Sequence, residues 1–257
     1  MKEYLSYFME NFDYPKEAIS SLTHDYTLLM SSSLDRKVFM NLLSDYENGN
    51  LHTFPDTATL FKNSAIPVFA IDELLLICMT RHLKQVYKGH GYSTSMWEDA
   101  CLDLKYKLIE CHDVKGVWGS FVAEWEMGFF NLTLFGFGRL QFEIIPFEME
   151  RYTSTKIDLK KGDPVISVHI PQTGTPLFIN DCYSSYEKAL KFFSPLFPQK
   201  NLAFVVISWI LYPPFIELYS KGSNLLRFAN DYTILAEKKD RHIFSPMLRS
   251  FFSANIV

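Results

Sequence analysis

One apolar run late in the sequence constrains the fold more than any other feature. Leu202 to Leu211 is almost continuously apolar, and Pro213 and Pro214 interrupt it. A membrane-spanning helix needs about 20 apolar residues, so this run is too short to be one. A short apolar run without polar alternation is typical of a strand that is covered on both faces. The run therefore predicts a buried strand over 202–209 in a layered α/β structure.

The first hundred or so residues have helical periodicity instead. Apolar residues recur at three- and four-residue spacing in 35–46, 71–87 and 96–110. Gly89 and Gly91 follow the second of these segments, where a left-handed residue commonly ends a helix. The pattern predicts a helical N-terminal domain over residues 1–115.

Beyond residue 115 the pattern becomes mixed. A helix is predicted at 117–128, and the chain then changes to short apolar segments separated by turn residues. Strands are predicted at 132–137, 140–145, 165–170, 202–209 and 232–236, and helices at 184–197, 212–220 and 223–230. This order predicts an α/β (α+β) fold in which a mixed-sheet domain over 116–257 packs on the helical domain.

Composition and charge exclude several classes of partner and cofactor. The formal charge of −4 is spread without a basic stripe, so we expect no nucleic-acid partner. The N-terminus lacks the basic and apolar regions of a secretory signal, and no segment suits a membrane span, which favours a cytoplasmic protein. The four cysteines form no CxxC pair and the seven histidines form no HExxH motif, so we expect reduced thiols and no metal.

Three short segments resemble a known family. They are Gly138–Glu143 (GRLQFE), Val168–Pro171 (VHIP) with Gly174, and Ser208–Pro213 (SWILYP) followed by Ser223-Asn224 and Phe228. Their order and spacing are similar to those of bacterial acyltransferase-domain proteins that have a helical N-terminal domain and a GNAT-like C-terminal domain. The resemblance covers roughly residues 110–235. It implies a mixed sheet and acyl transfer from an acyl-CoA, such as acetyl-CoA, to an amine of a small-molecule substrate.

Acyl transfer of this kind needs a group that deprotonates the incoming ammonium. Arg139, Gln141 and Glu143 alternate along a predicted strand and therefore share one face. They form either a substrate pocket with Glu143 as the base or a solvated strand face. His169 ends another predicted strand, and it is either a base near neutral pH or a structural residue that binds a nearby carbonyl. The catalytic role gains weight if His169 and Glu143 share one cleft.

Two further residues are candidates for substrate binding. Trp209 ends the apolar strand and forms either a pocket wall or part of the core. Asn224 follows Ser223, which is placed to cap a helix, and its amide binds either a ligand or the local backbone. Tyr183 and Tyr212 are candidate acids for the departing thiolate.

The usual phosphate loop of GNAT proteins, Gln/Arg-x-x-Gly-x-Gly/Ala, has no counterpart here. The nearest string, Gln85–Gly91, has one residue too many and follows a helix, so we interpret it as a helix end. This favours an alternative in which the chain is a non-catalytic ligand-binding or structural protein with a GNAT-like fold. A third hypothesis, drawn from the aromatic content of 16%, is a carbohydrate- or peptide-binding module.

Overall fold

The computed structural model describes residues 1–155, 157–197, 202–239 and 249–256. Contacts between Cα atoms divide the chain into two compact units. The helical unit comprises Met1–Phe135 with Gln172–Gly174, and the sheet unit comprises Gly136–Pro171 with Thr175–Val257.

The helices predicted from the N-terminal sequence are confirmed. The helical unit has helices α1 (Lys2–Asn11), α2 (Lys16–Ser31), α3 (Ser33–Glu47), α4 (Thr57–Leu60), α5 (Val68–Gly89), α6 (Thr94–Lys115) and α7 (Ala123–Phe130). The three predicted segments lie within α3, α5 and α6. Across the described ranges, no helix is long and apolar enough to cross a bilayer.

Helix α5 forms the centre of this unit. Every residue from Ala70 to Thr80 is buried, although the sequence predicts one apolar face. The reason is that α5 packs against α1, α2, α3, α4, α6 and α7, which together cover residues 70–80 on all sides. A helix in this position must also bury the polar residues of its sequence, among them Asp72 and Glu73.

The segment after α6 belongs to the helical unit. Gly116 ends α6 in the left-handed conformation, with φ 71°. The chain then turns back, and the Ser120 N–H donates to the Phe69 carbonyl at 2.9 Å. The Tyr87 hydroxyl donates to the Phe129 carbonyl at 3.3 Å. The contacts thus divide the chain after Phe135, whereas the sequence placed the boundary after residue 115, where a helix ends. Helix α7 also begins six residues later than predicted.

Carboxyl groups are buried inside the helical unit. Glu73, Asp103 and Glu126 have no exposed surface. The Tyr14 hydroxyl donates to Glu73 Oε1 at 3.1 Å, and the Ser120 hydroxyl donates to Glu126 Oε2. Burial, followed by repulsion from the neighbouring acids, raises the pKa of both Glu73 and Glu126. The two glutamates therefore favour their neutral forms.

The second half of the chain carries the strands. They are β1 (Leu134–Gly136, across the boundary between the units), β2 (Gln141–Pro146), β3 (Arg151–Thr153), β4 (Asp158–Lys160), β5 (Pro164–His169), β6 (Ala203–Ser208), β7 (Thr233–Lys239) and β8 (Arg249–Ile256). The helices are α8 (Ile179–Phe193), α9 (Pro213–Leu218) and α10 (Asn224–Asn230), with short 3₁₀ turns at Ser194–Leu196 and Trp209–Leu211.

The predicted mixed sheet is confirmed. Within the sheet unit its strands lie in the order β2-β5-β6-β8-β7. Strands β5 and β6 pair in parallel, and α8 lies between them in the chain. The β3–β4 hairpin and β8 are absent from the sequence predictions, because β3 and β4 have only three residues each and β8 lacks strict alternation.

The two faces of the sheet differ. On one face, Phe142 and Phe204 are fully buried and contact the ring of Tyr186 from α8. On the other face, Val165, Ala203 and Val205 form an apolar cluster with residues that include Phe147 and Leu159. Strand alternation places the polar residues of β2 and β5 on this second face.

Candidate functional site

Polar side chains of β2 and β5 meet on the face of the sheet opposite α8. The antiparallel register places Gln141 opposite His169 and Glu143 opposite Ser167. Residues that lie opposite each other in an antiparallel pair project from the same face, with Cβ atoms about 5 Å apart. The register therefore gathers all four side chains at one place.

Glu143 and His169 form a direct pair in this group. His169 Nε2 lies 2.9 Å from Glu143 Oε1, within hydrogen-bond distance. About 30% of each side chain is exposed, so the pair is reachable by a ligand and is partly screened from bulk water. The structure thus places both predicted catalytic residues in one site.

Ser167 is the third member of the group. Its hydroxyl oxygen lies 3.4 Å from His169 Nε2, the same nitrogen that contacts Glu143. In a Ser-His-Asp relay the acid and the nucleophile bind opposite nitrogens of the imidazole. The arrangement therefore differs from a hydrolase triad. It is suited to moving a proton at the carboxylate–imidazole pair.

The parallel strands β5 and β6 separate beside this pair. Their ladder joins Ile166 with Phe204 and Ser167 with Val205. In the described strands it does not continue to His169, although β5 runs to His169 and β6 to Ser208. Beyond Ser167 and Val205 the facing edges of the two strands form no ladder with each other, a feature called the gap below, and His169 lies beside it on β5.

This combination of fold and gap agrees with a family model. Residues 134–252 match the family described as the GNAT-like C-terminal domain. This half of the chain is a GNAT-like domain. The resemblance of the GRLQFE, VHIP and SWILYP segments is confirmed, since all three lie in the matched range.

Solved structures of acyltransferases share the fold. One, an acyltransferase variant in complex with octanoyl-CoA, has a TM-score of 0.70 at 14% identity, covering 97% of this chain and 86% of its own. Another, in complex with decanoyl-CoA and teicoplanin, has a TM-score of 0.69 at 15% identity, covering 96% and 86%. A third, in complex with CoA and 10C-teicoplanin, has a TM-score of 0.66 at 16% identity, covering 90% and 69%. A comparison with curated protein sequences found no match.

Arg139 lies outside the strand that was predicted to carry it. Strand β2 of the GNAT-like domain begins at Gln141, and Gly138 has a φ of 85°, so the strand alternation does not reach Arg139. Arg139 Nη1 donates to the Pro171 carbonyl at 2.9 Å. The guanidinium thereby holds the chain that leaves β5, close to His169. Gln141 does lie on the predicted face, with 4% of its surface exposed.

Trp209 and Asn224 lie at a different part of the GNAT-like domain. Trp209 is in the 3₁₀ turn that follows β6, is 48% exposed, and meets the Phe215 ring edge-on at 5.9 Å. Asn224 is the first residue of α10, whose cap is the Ser223 hydroxyl, which accepts from the Leu226 N–H. The predicted Ser223 cap is thus confirmed. None of the contacts found in the described ranges joins Trp209 or Asn224 to the Glu143–His169 pair.

The remaining chemical expectations concern tyrosines, cysteines and metals. The Tyr183 hydroxyl donates to Asp231 Oδ1 at 3.3 Å. All four cysteines are buried and unbonded, and burial raises the pKa of Cys182 to about 11. Among the described residues, no group of three or more His, Cys, Asp or Glu side chains is arranged to hold a metal ion.

Proposed function

We propose that this protein transfers an acyl group from an acyl-CoA to an amine. The observation that carries the proposal is the position of the Glu143–His169 pair beside the end of the β5–β6 ladder. A thioester donor needs extended backbone groups to bind its pantetheine amides, and the acceptor needs a proton acceptor at the reacting carbon. Both requirements meet at His169.

The donor would bind along the gap between the two parallel strands. The backbone groups beyond Ser167 and Val205, where the β5–β6 ladder has ended, are placed to exchange hydrogen bonds with the pantetheine amides. The N-terminus of α8 follows β5 in the chain, and no side chain caps it. Free N–H groups and the helix dipole at such an end favour the pyrophosphate of CoA.

The proton acceptor in this proposal is Glu143. Its Oε1 accepts from the Nε2–H of His169, and within the described structure Oε2 accepts no hydrogen bond. The substrate ammonium gives one proton to Oε2, and the amine lone pair attacks the thioester carbonyl. Collapse of the tetrahedral adduct breaks the C–S bond and releases the thiolate, which takes the second proton that the nitrogen loses as the amide forms, and so becomes CoA. His169 keeps the carboxylate oriented throughout.

A second candidate is a binding protein that has the fold without the chemistry. The observation in its favour is the Gln85–Gly91 string, which the structure shows to be the end of α5, with Gly91 at φ 73°. The predicted helix end is thus confirmed, and this string supplies no phosphate loop. Binding of the CoA pyrophosphate would then depend on the N-terminus of α8. We expect weaker donor binding than in a protein that also has a glycine-rich loop.

Calorimetric titration with acetyl-CoA and octanoyl-CoA, followed by a thiol-release assay, separates the two candidates. The longer donor is included because the structural relatives bind octanoyl-CoA and decanoyl-CoA. Acyl transfer is supported if a donor binds saturably at micromolar concentration, worth about 8 kcal/mol, and if thiol release then depends on an added amine. The panel of amines includes teicoplanin. Binding without thiol release from any amine favours the binding protein, and a folded protein that binds neither donor contradicts both candidates.

A further inference from the structure

The helical unit contains a cavity that the proposed acyl transfer does not use. Its volume is about 560 Å³. The lining comes from three segments, which are 54–58 before and within α4, 68–72 at the start of α5, and 121–125 at the start of α7. All three belong to the helical unit, so the cavity is a property of that unit.

Aromatic rings form much of the wall. Phe54, Phe69, Phe121 and Trp125 all line the cavity and are only partly buried. The face of an aromatic ring carries partial negative charge and attracts cations, most strongly in the case of tryptophan. Lys107 Nζ already lies 5.7 Å from the centre of the Trp125 ring, although that lysine does not line the cavity.

A buried carboxyl group lies in the same wall. Asp72 is 8% exposed, and its Oδ1 accepts from the Thr57 hydroxyl at 2.5 Å. No cationic side chain pairs with Asp72 in the described part of the chain. A buried carboxylate without a cation is costly, so a cation that enters the cavity gains an interaction that the protein itself does not supply.

The net charge of the cavity lining determines whether a cation or an anion is attracted. Asp56 and Glu124 line the cavity together with Asp72, and no described Lys, Arg or His does so. The N-terminal ends of α5 and α7 contribute partial positive charge, about half an elementary charge each. Three carboxylates exceed this, so an anionic ligand is repelled and a cationic one is attracted.

We propose that this cavity binds an organic ammonium ion. The charged nitrogen lies against Asp72, and the apolar body lies along Phe69, Phe121 and Trp125. The proposal rests on the lining of the helical unit and holds whether or not the GNAT-like domain transfers acyl groups.

A pair of matched probes tests the requirement for charge. The full chain is titrated calorimetrically at pH 8 with 2-phenylethylamine, which is cationic, and with 2-phenylethanol, which has the same size and no charge. We expect saturable binding of the amine and at least about tenfold weaker binding of the alcohol, because ion pairing and cation–π attraction are lost. Equal affinity for the two probes, or no saturable binding of the amine, overturns the proposal.

A pair of variants tests the position. Asp72→Asn keeps the shape of the side chain and removes its charge, and we expect amine affinity to fall about tenfold or more. Asp45→Asn is the control, since Asp45 is exposed on α3 and does not line the cavity, and we expect a change below about threefold. Equal losses in the two variants contradict a site centred on Asp72.

Proton release from the unaltered protein provides a test that does not depend on folding of a variant. Burial raises the pKa of Asp72 to about 7, so at pH 6.5 much of this carboxyl is protonated and a bound cation should expel its proton. The titratable groups that interact with Asp72 are Glu73 on its own helix and Cys111 on α6, and burial raises the pKa of both. We expect binding heats in buffers of different ionisation enthalpy to show proton release. Binding without proton release overturns the role of Asp72.

Discussion

His169 Nε2 lies 2.9 Å from Glu143 Oε1, and the strands that carry the two residues pair in a register that places Gln141 opposite His169. The contact joins residues 26 positions apart in the sequence. Because each side chain is about 30% exposed, the contact by itself adds little to stability. A small contribution to stability agrees with the proposed role of the pair in proton transfer.

Glu143→Gln should abolish most of the acyl transfer while donor binding is preserved. The amide keeps the shape of the carboxylate and cannot accept the proton of the ammonium. We expect kcat/KM for the amine to fall by about 10²–10⁴, with acyl-CoA affinity changed less than about twofold, as measured by thiol release and calorimetry. Glu187→Gln, on the exposed surface of α8, is the control and should retain the original rate. Loss of donor binding together with activity would point to a structural role for Glu143.

His169 should behave as a positioning residue, and two substitutions distinguish this role from simple packing. His169→Gln keeps an N–H that can reach Glu143 Oε1, whereas His169→Leu keeps bulk and removes the donor. We expect the glutamine variant to retain at least about ten times more kcat/KM than the leucine variant, because a charge-assisted hydrogen bond is worth roughly 1.5–3 kcal/mol. Similar rates in the two variants would show that the Nε2–H has no part in orienting the carboxylate.

The local sequence proposed Glu143 and His169 as separate candidates, and it could show neither their contact nor the gap beside them. Alternation in GRLQFE placed Gln141 and Glu143 on one face, and the short run before Pro171 placed His169 at a strand end. The end of the β5–β6 ladder at Val205 depends on pairing between segments far apart in the chain, which no local pattern encodes. The alternation was extended back to Arg139, which lies before the start of β2 at Gln141.

Asp72 should reduce stability at neutral and alkaline pH. Its pKa is raised from 3.8 to about 7, chiefly by burial, so the folded protein holds a proton that the unfolded chain releases between about pH 4 and pH 7. The contribution of Asp72 to the free energy of unfolding is therefore fully present below pH 4 and is lost as the pH rises through 7. We expect Asp72→Asn to raise the free energy of unfolding at pH 8 by about 1–3 kcal/mol and to change it little at pH 4, as measured by thermal unfolding.

Asp56→Asn is the matched control for the prediction on Asp72. Asp56 caps α4 by accepting from the Thr59 N–H at 3.1 Å, and this bond lowers the pKa of its carboxyl. Asparagine caps helices about as well as aspartate, so Asp56→Asn should change the free energy of unfolding little at pH 4 and at pH 8. A fall in stability of the Asp72→Asn variant at pH 8 would mean that the carboxylate is satisfied in the folded protein, and it would also weaken the proposed ammonium site.

Gly119 should tolerate no larger side chain, because the chain after α6 lies directly on the first turn of α5. A Cβ atom at Gly119 would lie 2.3 Å from the carbonyl carbon and oxygen of Phe69, and backbone atoms cannot move aside as a flexible side chain can. We expect Gly119→Ala to destabilise the protein by about 2 kcal/mol or more and to lower Tm by roughly 4 °C or more.

Gly89→Ala is the control for that substitution. It lies at the end of α5, where a Cβ atom meets nothing within 4 Å, and alanine is the better helix former by about 1 kcal/mol. This variant should be neutral or slightly more stable. Phe69 and the segment after Gly119 also line the cavity with Asp72, so Gly119→Ala should weaken 2-phenylethylamine binding at temperatures where the variant is still folded. Equal Tm values for the two alanine variants would show that residues 116–122 do not pack on α5, and would return the domain boundary to residue 115.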